Sequence, residues 1–231
     1  MFHTLFYQPI FNLLIWFYNL VGDVGVAIIL LTVVLKLVLW PLTMQSLRSQ
    51  KMLQSLQPKL KALQEKYKDN KQELTKATMA LYKEEKVNPF SSCLPLLIQL
   101  PFLFALYRVL VDGLGSQNFE ALYAFVKNPG LIKTVSFGFV DLAKSSVIIA
   151  VLAGAVQFWQ TKMLPKPNIP ASAGAGAKDE STMALMNKQM MYLAPAMTIL
   201  IGSKLPGGLA VYWLVMSLLT VGQQYLAFKK K

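Results

Sequence analysis

Residues 24–43 read VGVAIILLTVVLKLVLWPLT, an apolar run that contains a single charged side chain, Lys36. At about 1.5 Å per residue, a helix of this length crosses most of a bilayer. A lysine inside such a helix costs about 2.5–3.5 kcal/mol on insertion scales. The run therefore predicts a transmembrane helix that carries one cation where lipid alone would disfavour it.

The composition of the whole chain favours a membrane protein. Of its 231 residues, 55% are hydrophobic and only 15% are charged, whereas a soluble domain carries about 25% charged residues. This excludes a soluble globule, and such apolar content also excludes a disordered chain. One cysteine and one histidine allow neither an internal disulfide nor a soft-metal site. We therefore expect no metal and no cofactor.

Long stretches with little charge predict an all-α protein with five transmembrane helices. We assign these spans to residues 23–42, 90–111, 145–163, 189–205 and 208–228. A further apolar stretch within residues 1–22 is interrupted by polar residues, and its apolar residues recur at helical spacing. This pattern favours an amphipathic helix lying in the outer interface, although a further span stays the alternative.

The basic residues predict the orientation of the chain. Seventeen of the 23 Lys and Arg residues lie in or beside segments 43–88, 164–188 and 229–231, and four lie on the opposite side. The positive-inside rule then gives an outside N-terminus and a cytoplasmic C-terminus. The net charge of +12 is thus explained by topology, and we expect no specific nucleic-acid partner.

The segments between the spans have different compositions. Segment 43–88 contains apolar residues at 3,4 spacing on both sides of a polar turn, which predicts a cytoplasmic coiled-coil hairpin with a kink at Pro58. Segment 112–144 is predicted to be an external loop. Segment 164–188, rich in Pro, Ala and Gly, is predicted to be a flexible cytoplasmic loop, and residues 229–231 a short basic tail.

Lys36 allows two interpretations. Its amine could extend to the cytoplasmic headgroups, or it could line a hydrated recess within the bundle. Thr32 lies on the same helix face, and Gln99 and Ser217 place polar groups in other spans. Because polar groups facing hydrocarbon are costly, these positions favour a shared recess. Gln223 is near a span end, where reaching the headgroups is the simpler expectation.

The residues suggest no enzyme. The predicted spans contain no pair of carboxylates, and the single histidine, His3, is too near the N-terminus for a nucleophile-histidine-acid set. No glycine-rich phosphate loop occurs in the sequence.

Several motifs occur in a fixed order along the chain. They are Trp40-Pro41-Leu42-Thr43, Leu56-Gln57-Pro58-Lys59, Val87-Asn88-Pro89, Cys93-Leu94-Pro95-Leu96-Leu97-Ile98-Gln99-Leu100-Pro101 and Leu205-Pro206-Gly207-Gly208-Leu209. By these motifs the chain, from about residue 6 to 228, resembles the YidC/Oxa/Alb membrane protein insertases, and the bacterial YidC branch fits best.

This resemblance implies a five-span core with a hydrophilic groove that opens to the cytoplasm and to lipid. It implies insertion of nascent membrane proteins into the bacterial inner membrane, alone or with the Sec translocon and signal recognition machinery. The ribosome and the bilayer are further implied partners, a monomer is implied, and no nucleotide is hydrolysed.

The resemblance also implies roles for individual residues. Lys36 matches the groove cation, although the family usually has arginine there, whose planar fork of donors lysine lacks. The groove lining would be Thr32, Gln99, Trp213 and Ser217. The slide along which a substrate helix leaves would be Leu100, Phe102, Leu103 and Met197. The hairpin needed for activity would include Leu53, Leu60 and Leu81.

Two other classes stay open from the residues alone. A small-anion channel or transporter could use the same cation, although the spans lack the acids expected for ion coupling. A non-translocating assembly scaffold would bind membrane proteins without moving their polar segments.

Overall fold

The chain is mostly helical, as predicted. The computed structural model describes residues 1–88, 94–113, 119–163 and 192–229. The predicted flexible loop 164–188 therefore lies outside the described residues, as do residues 90–93 and 189–191 of two predicted spans and the last two residues of the predicted tail.

The N-terminal segment forms a helix that packs against the rest of the protein. A π-helical turn, His3–Tyr7, continues into α1, Gln8–Val21. One face of α1 is buried, including Phe11 and Leu14. The helix ends at Gly22, whose φ of 72° lies in the left-handed region, where glycine has no steric penalty. The helix exists as expected, and its predicted position flat in the interface stays a prediction.

The first predicted span is bent rather than straight. Helix α2, Val24–Val38, ends before Leu39, and α3, Trp40–Ser55, leaves it at an angle of 62°. Pro41 in the first turn of α3 explains the break, because proline lacks a backbone N–H and its ring clashes with the carbonyl four residues earlier. The helix break therefore falls at Leu39, and the predicted boundary, with a span ending at residue 42 and a hairpin starting at 43, stays a prediction.

Two antiparallel helices follow α3. Helix α4 is Gln57–Lys66 and α5 is Lys71–Glu84, and the two contact each other. A single residue, Leu56, with φ of −82° and ψ of −9°, separates α3 from α4. Pro58 lies in the first turn of α4, where its missing N–H costs little, and the kink expected at Pro58 stays a prediction.

The remaining elements alternate between helices and one small sheet. Helix α6, Leu94–Arg108, continues as a π-helical segment, Val109–Gly113. Strands β1, Val135–Ser136, and β2, Val140–Asp141, pair antiparallel. Three helices complete the described chain. They are α7, Val147–Met163; α8, Tyr192–Gly202; and α9, Gly207–Lys229.

One helix of the described chain, Gly207–Phe228 within α9, is by itself long and apolar enough to cross a membrane. Helices α2 and α3 satisfy the same criterion only when they are taken together as one bent span, and α7 and α8 are shorter apolar helices. The structure thus supports a membrane-spanning helix, and the number of five spans stays a prediction.

The core lies where α1, α2, α6 and α9 meet, covered on one end by the segment 119–144. Helix α9 packs along both α2 and α7. Helix α9 also contacts α3, and we therefore describe the site relative to α9.

Candidate functional site

We call the half of the α2–α9 contact at the start of both helices the outer half and the other half the inner half, after the predicted orientation. The outer half is apolar and tightly packed. Ile28 and Leu31 of α2 are completely buried. A Cβ atom placed on Gly208 of α9 would lie 2.9 Å from Cδ1 of Ile28 and 3.1 Å from Cδ2 of Leu110. Glycine at position 208 therefore allows the three helices to approach closely, and the outer half of the contact is sealed.

The inner half of the same contact is polar. The Lys36 side chain is buried, with the residue 4% exposed, and its Nζ donates a hydrogen bond to Thr220 Oγ1 at 2.9 Å. The Thr220 hydroxyl in turn donates to the carbonyl oxygen of Met216 at 2.7 Å. Within the described residues no carboxylate pairs with Lys36. Since an ammonium group has three donors, this cation retains donors for a ligand.

Gln223 closes the inner end of the contact. Its side chain is fully buried, and Nε2 donates to the Trp40 carbonyl at 3.2 Å and to Thr43 Oγ1 at 2.8 Å. The expectation that Gln223 reaches the headgroups is therefore wrong. The reason is the bend at Leu39, which turns the start of α3 against the end of α9.

The predicted groove residues do not form one hydrogen-bonded cluster. Thr32 is completely buried, and its hydroxyl donates to the Ile28 carbonyl of its own helix at 2.6 Å. Gln99 Nε2 donates to the hydroxyl of Tyr212, which is fully buried. These two residues are thus satisfied separately from the Lys36 ammonium.

The two predicted groove residues of α9 lie beside this hydrogen-bonded set. Ser217 is 9% exposed. Trp213 is partly buried, and its ring faces α8, because a Cβ atom on Gly202 would lie 3.4 Å from its Cζ3 atom. The structure therefore places Trp213 against α8, buries Ser217 on α9, and links Gln99 to α9 through Tyr212.

The predicted slide residues divide into two pairs. Leu100 and Met197 are exposed, at 38% and 43%. Phe102 and Leu103 are partly buried against the core, and the Phe102 ring packs edge-on against Phe6 at 5.4 Å between centroids. Only the first pair is presented on the surface in this structure.

The predicted hairpin residues differ in burial. Leu81 of α5 is buried at 9% exposure, whereas Leu53 and Leu60 are half-buried. An ion pair between Lys59 and Glu85 joins the start of α4 to the end of α5, and the Glu85 carboxylate raises the pKa of the Lys59 ammonium by accepting this hydrogen bond. The two helices are thus linked at the end nearest α3.

Three residues of the site were missed from the sequence: Thr43, Tyr212 and Thr220. The last two lie on α9 at helical spacing with Met216 and Gln223, which places them on one face of the helix. The helical spacing of these polar residues was the available signal in the sequence. It indicates a site only once this face of α9 is known to contact α2.

No other site in the described chain has the same character. No group of three His, Cys, Asp or Glu residues there can hold a metal ion. A cavity of about 530 Å³ lies elsewhere, between the N-terminal residues and the end of α6. Its lining residues are Phe2, His3, Tyr7, Gln8, Arg108, Asp112, Glu120 and Ala121.

Comparison with known proteins identifies the family of this chain. Residues 16–231 match the family model described as 60Kd inner membrane protein. The membrane protein insertase YidC of Fusobacterium nucleatum subsp. nucleatum is 38% identical over 210 residues, which cover 91% of this chain and 88% of that protein. The chain belongs to the YidC membrane protein insertase family.

Other YidC relatives are much longer than the part that this chain matches. The YidC of Pelobacter propionicus is 36% identical over 221 residues, which cover 96% of this chain and 38% of that protein. The YidC of Francisella tularensis subsp. novicida is 38% identical over 223 residues, 96% of this chain and 36% of that protein. The chain thus spans little more than a third of these two relatives.

A solved structure has the same fold. The crystal structure described as "Active YidC insertase crystal structure with the first transmembrane domain resolved" matches with a TM-score of 0.60. The match covers 100% of this chain and 47% of that chain at 23% sequence identity. This likeness supports the helical architecture, while family membership rests on the sequence matches.

Proposed function

We propose that this chain inserts nascent membrane proteins, and that the inner half of the α2–α9 contact receives the polar segment of the substrate. The observation that carries this proposal is Lys36, a buried cation with one hydroxyl acceptor and no carboxylate partner among the described residues. The chain belongs to the insertase family, and we therefore assign this cation to the insertion of membrane proteins.

The energetic role of Lys36 follows from its burial. Burying a cation without a counter-ion costs free energy. Binding of an anion beside the cation recovers part of that free energy. Two opposite charges about 4 Å apart attract by about 4 kcal/mol at an effective dielectric constant of 20. An acidic segment of a substrate would therefore be stabilised beside Lys36, which offsets part of the cost of taking it out of water.

The length of α2 supports a shortened path through the membrane. Helix α2 has 15 residues, or about 22 Å at 1.5 Å per residue, whereas the hydrocarbon core is about 30 Å thick. The bend at Leu39 then turns the chain aside. In our proposal, water and the polar segment enter from the bent side, so that only the sealed outer half has to be crossed.

The apolar part of the substrate takes a different route. Leu100 and Met197 expose apolar side chains on the outside of the bundle, and we assign them, with Phe102 and Leu103, to the surface along which a substrate helix moves into lipid. Burial of its apolar surface in the bilayer drives this step, which explains why no nucleotide is needed.

The proposal places the chain in the bacterial inner membrane with five spans, an outside N-terminus and a cytoplasmic C-terminus. Helices α4 and α5 would then extend into the cytoplasm as the hairpin, next to the ribosome. We further propose that the chain acts as a monomer, alone or beside the Sec translocon.

Site-specific photo-crosslinking tests the proposal. A photoreactive residue is placed at position 36, 99 or 103 of the full chain, and ribosomes stalled on a single-span substrate supply the nascent segment. Insertion predicts crosslinks from all three positions. Protease protection of the substrate tail is expected with the probes at 99 and 103, because the probe at 36 replaces the cation. Matched probes at Lys68 and Lys76, exposed on the hairpin, report contacts outside the membrane.

The alternatives give different results. Crosslinks confined to the hairpin probes, with an unprotected tail, would indicate an assembly scaffold. Saturable anion flux through liposomes that contain the purified chain, without crosslinks at positions 36 and 99, would indicate a channel or transporter.

A further inference from the structure

Several large apolar side chains are exposed together where α1 meets α2. We call this surface the outer corner and define it as Leu20, Val21, Leu131, Phe137 and Phe139. The residues are 40–82% exposed, with Phe139 at 82% and Leu131 at 70%. A surface of this kind needs an explanation, because contiguous exposed apolar patches mark places that contact a partner or a membrane.

Hydrogen bonds hold the two parts of the outer corner together. Asp23, between α1 and α2, accepts hydrogen bonds from the Ser136 hydroxyl and from the Phe137 backbone N–H, the latter at 2.8 Å. The Tyr18 hydroxyl accepts from the backbone N–H of Lys133 at 2.9 Å. Asn19 Nδ2 donates to the Lys127 carbonyl at 2.6 Å. Segment 127–139 is therefore fixed against the end of α1.

Two lysines flank the apolar residues. Lys127 and Lys133 are exposed, and neither pairs with a carboxylate within the described ranges. Lys144, by contrast, pairs with Asp141 at 3.3 Å. The outer corner thus combines apolar and aromatic side chains with two unpaired positive charges.

We propose that the outer corner lies in the headgroup region of the outer leaflet and binds anionic phospholipids. Its apolar side chains would enter the acyl boundary, and Lys127 and Lys133 would contact the phosphate groups. The proposal rests on the orientation of α2 given above, in which Val24 begins the span. Asp23 caps that helix and contacts the corner directly, so the corner lies at the height where the bilayer surface begins.

The chemistry favours lipid over a protein partner. Surfaces that lie in the membrane interface combine lysines with Trp, Phe and Leu, because the apolar side chains enter the acyl boundary while the lysine ammonium groups stay at the headgroups. The corner is also continuous with α1, whose Trp16 and Leu20 are exposed at 49% and 69%. Both elements therefore present apolar surface at the same end of α2.

The outer corner would fix the depth of Lys36. Twelve residues separate Val24 from Lys36 in the sequence, or about 18 Å along a helix. If the start of α2 is held at the outer surface, its single cation is held within the inner half of the bilayer.

Lipid-dependent fluorescence tests the proposal. The full chain carrying Cys93→Ser and Phe139→Cys is labelled with an environment-sensitive fluorophore and reconstituted into phosphatidylcholine vesicles with or without phosphatidylglycerol. We expect a blue-shifted emission that is quenched by lipids spin-labelled near the glycerol backbone. Asp69→Cys, in the turn between α4 and α5, is the matched control and should report water.

The lysines are tested in the same vesicles. Spin-labelled phosphatidylglycerol should quench the label at 139 more strongly than spin-labelled phosphatidylcholine, and Lys127→Gln with Lys133→Gln should remove this preference. Each lysine near an anionic surface contributes about 1 kcal/mol, or about fivefold in relative binding. Their backbone hydrogen bonds remain, so the variants keep the corner in place.

Two results would overturn the proposal. A water-like emission at 139 in both kinds of vesicle would exclude the membrane, and a crosslink from 139 to a protein in cells would then identify that protein as the partner. Equal quenching by both lipids, unchanged by the lysine variants, would exclude the anionic headgroup. Neither result depends on insertion activity, so the insertase proposal is tested separately.

Discussion

The two halves of the α2–α9 contact are built from the same two helices but have opposite chemistry. In the outer half, Gly208 allows close packing against Ile28, and the buried side chains are apolar. In the inner half, Lys36 and Gln223 are buried polar residues. Lys36 donates a hydrogen bond to the half-buried Thr220 of α9, and Gln223 donates to the Trp40 carbonyl at the start of α3. Along this one helix pair, a tightly packed apolar contact is therefore followed by a polar contact.

The difference shows how a short helix can hold a cation within a membrane. Packing alone stabilises the outer half, so that half is expected to depend on shape. The inner half depends on hydrogen bonds and on a charge whose partner is missing from the described chain. Substitutions that change shape should therefore affect the outer half most, and substitutions that change polarity should affect the inner half most.

The largest effect on stability is expected from Gly208→Leu. The added side chain would clash with Ile28 and Leu110, and overpacking of this kind costs about 1–3 kcal/mol or more. Thermal unfolding in detergent should show the loss. Gly222→Leu is the matched control on the same helix, because nothing lies within 4 Å of a Cβ atom there, and it should leave the unfolding temperature unchanged or raise it. Equal destabilisation by both variants would contradict a tight outer seal.

A smaller effect is expected at the outer end, from Asp23→Ala. Asp23 caps α2 through the backbone N–H groups of Gly25 and Val26, at 2.8 and 3.0 Å, and loss of such a cap costs about 1–2 kcal/mol. Amide hydrogen exchange should rise in the first turn of α2 and at Phe137. Asp23→Asn keeps one acceptor oxygen, so its exchange rates should lie between those of the original chain and those of Asp23→Ala. Unchanged exchange at Phe137 would show that Asp23 does not hold the outer corner.

An effect similar to that of Asp23→Ala is expected in the inner half, from Gln223→Leu. This change removes the hydrogen bonds to Trp40 and Thr43, and each is worth about 1 kcal/mol. The control is Gln224→Leu, since the Oε1 atom of Gln224 is buried without a partner in the described part of the chain. That variant should be neutral or stabilising when chemical denaturation is measured. If Gln224→Leu lowered the stability more than Gln223→Leu, the hydrogen bonds of Gln223 would not stabilise the inner end of the α2–α9 contact.

The helical fold and the place of Lys36 as a lone cation in an apolar helix were accessible from the sequence for physical reasons. Long apolar stretches have few structural solutions in a membrane, and a lone cation in such a stretch stands out whatever surrounds it. The apolar spacing in residues 1–22 likewise predicted a helix there, and Leu14, one of its regularly spaced apolar residues, is buried.

The bend at Leu39 and the role of Gln223 were not accessible in the same way. Pro41 signals a possible break, but the direction of α3 depends on its packing against α9, which a local pattern does not contain. Gln223 appeared to lie at a helix end near water, and it is buried only because α3 returns to cover it. The acceptor of Lys36, Thr220, is 184 residues away along the chain, so sequence spacing gave no information about this pair.

The charge of Lys36 can be tested most directly with two substrates that differ only in the charge of their short outer segment. One carries acidic residues there, and the other carries the corresponding amides. Insertion is measured by protease protection in cells depleted of the resident insertase, with the original chain, Lys36→Arg, Lys36→Glu and, as an exposed control, Lys204→Glu.

If Lys36 attracts the acidic segment, Lys36→Glu should lower insertion of the acidic substrate by about tenfold or more, since about 1.4 kcal/mol corresponds to a factor of ten. The amide substrate should be affected much less, and Lys36→Arg and Lys204→Glu should insert both substrates. Equal losses for the two substrates, or normal insertion of the acidic one by Lys36→Glu, would contradict the account.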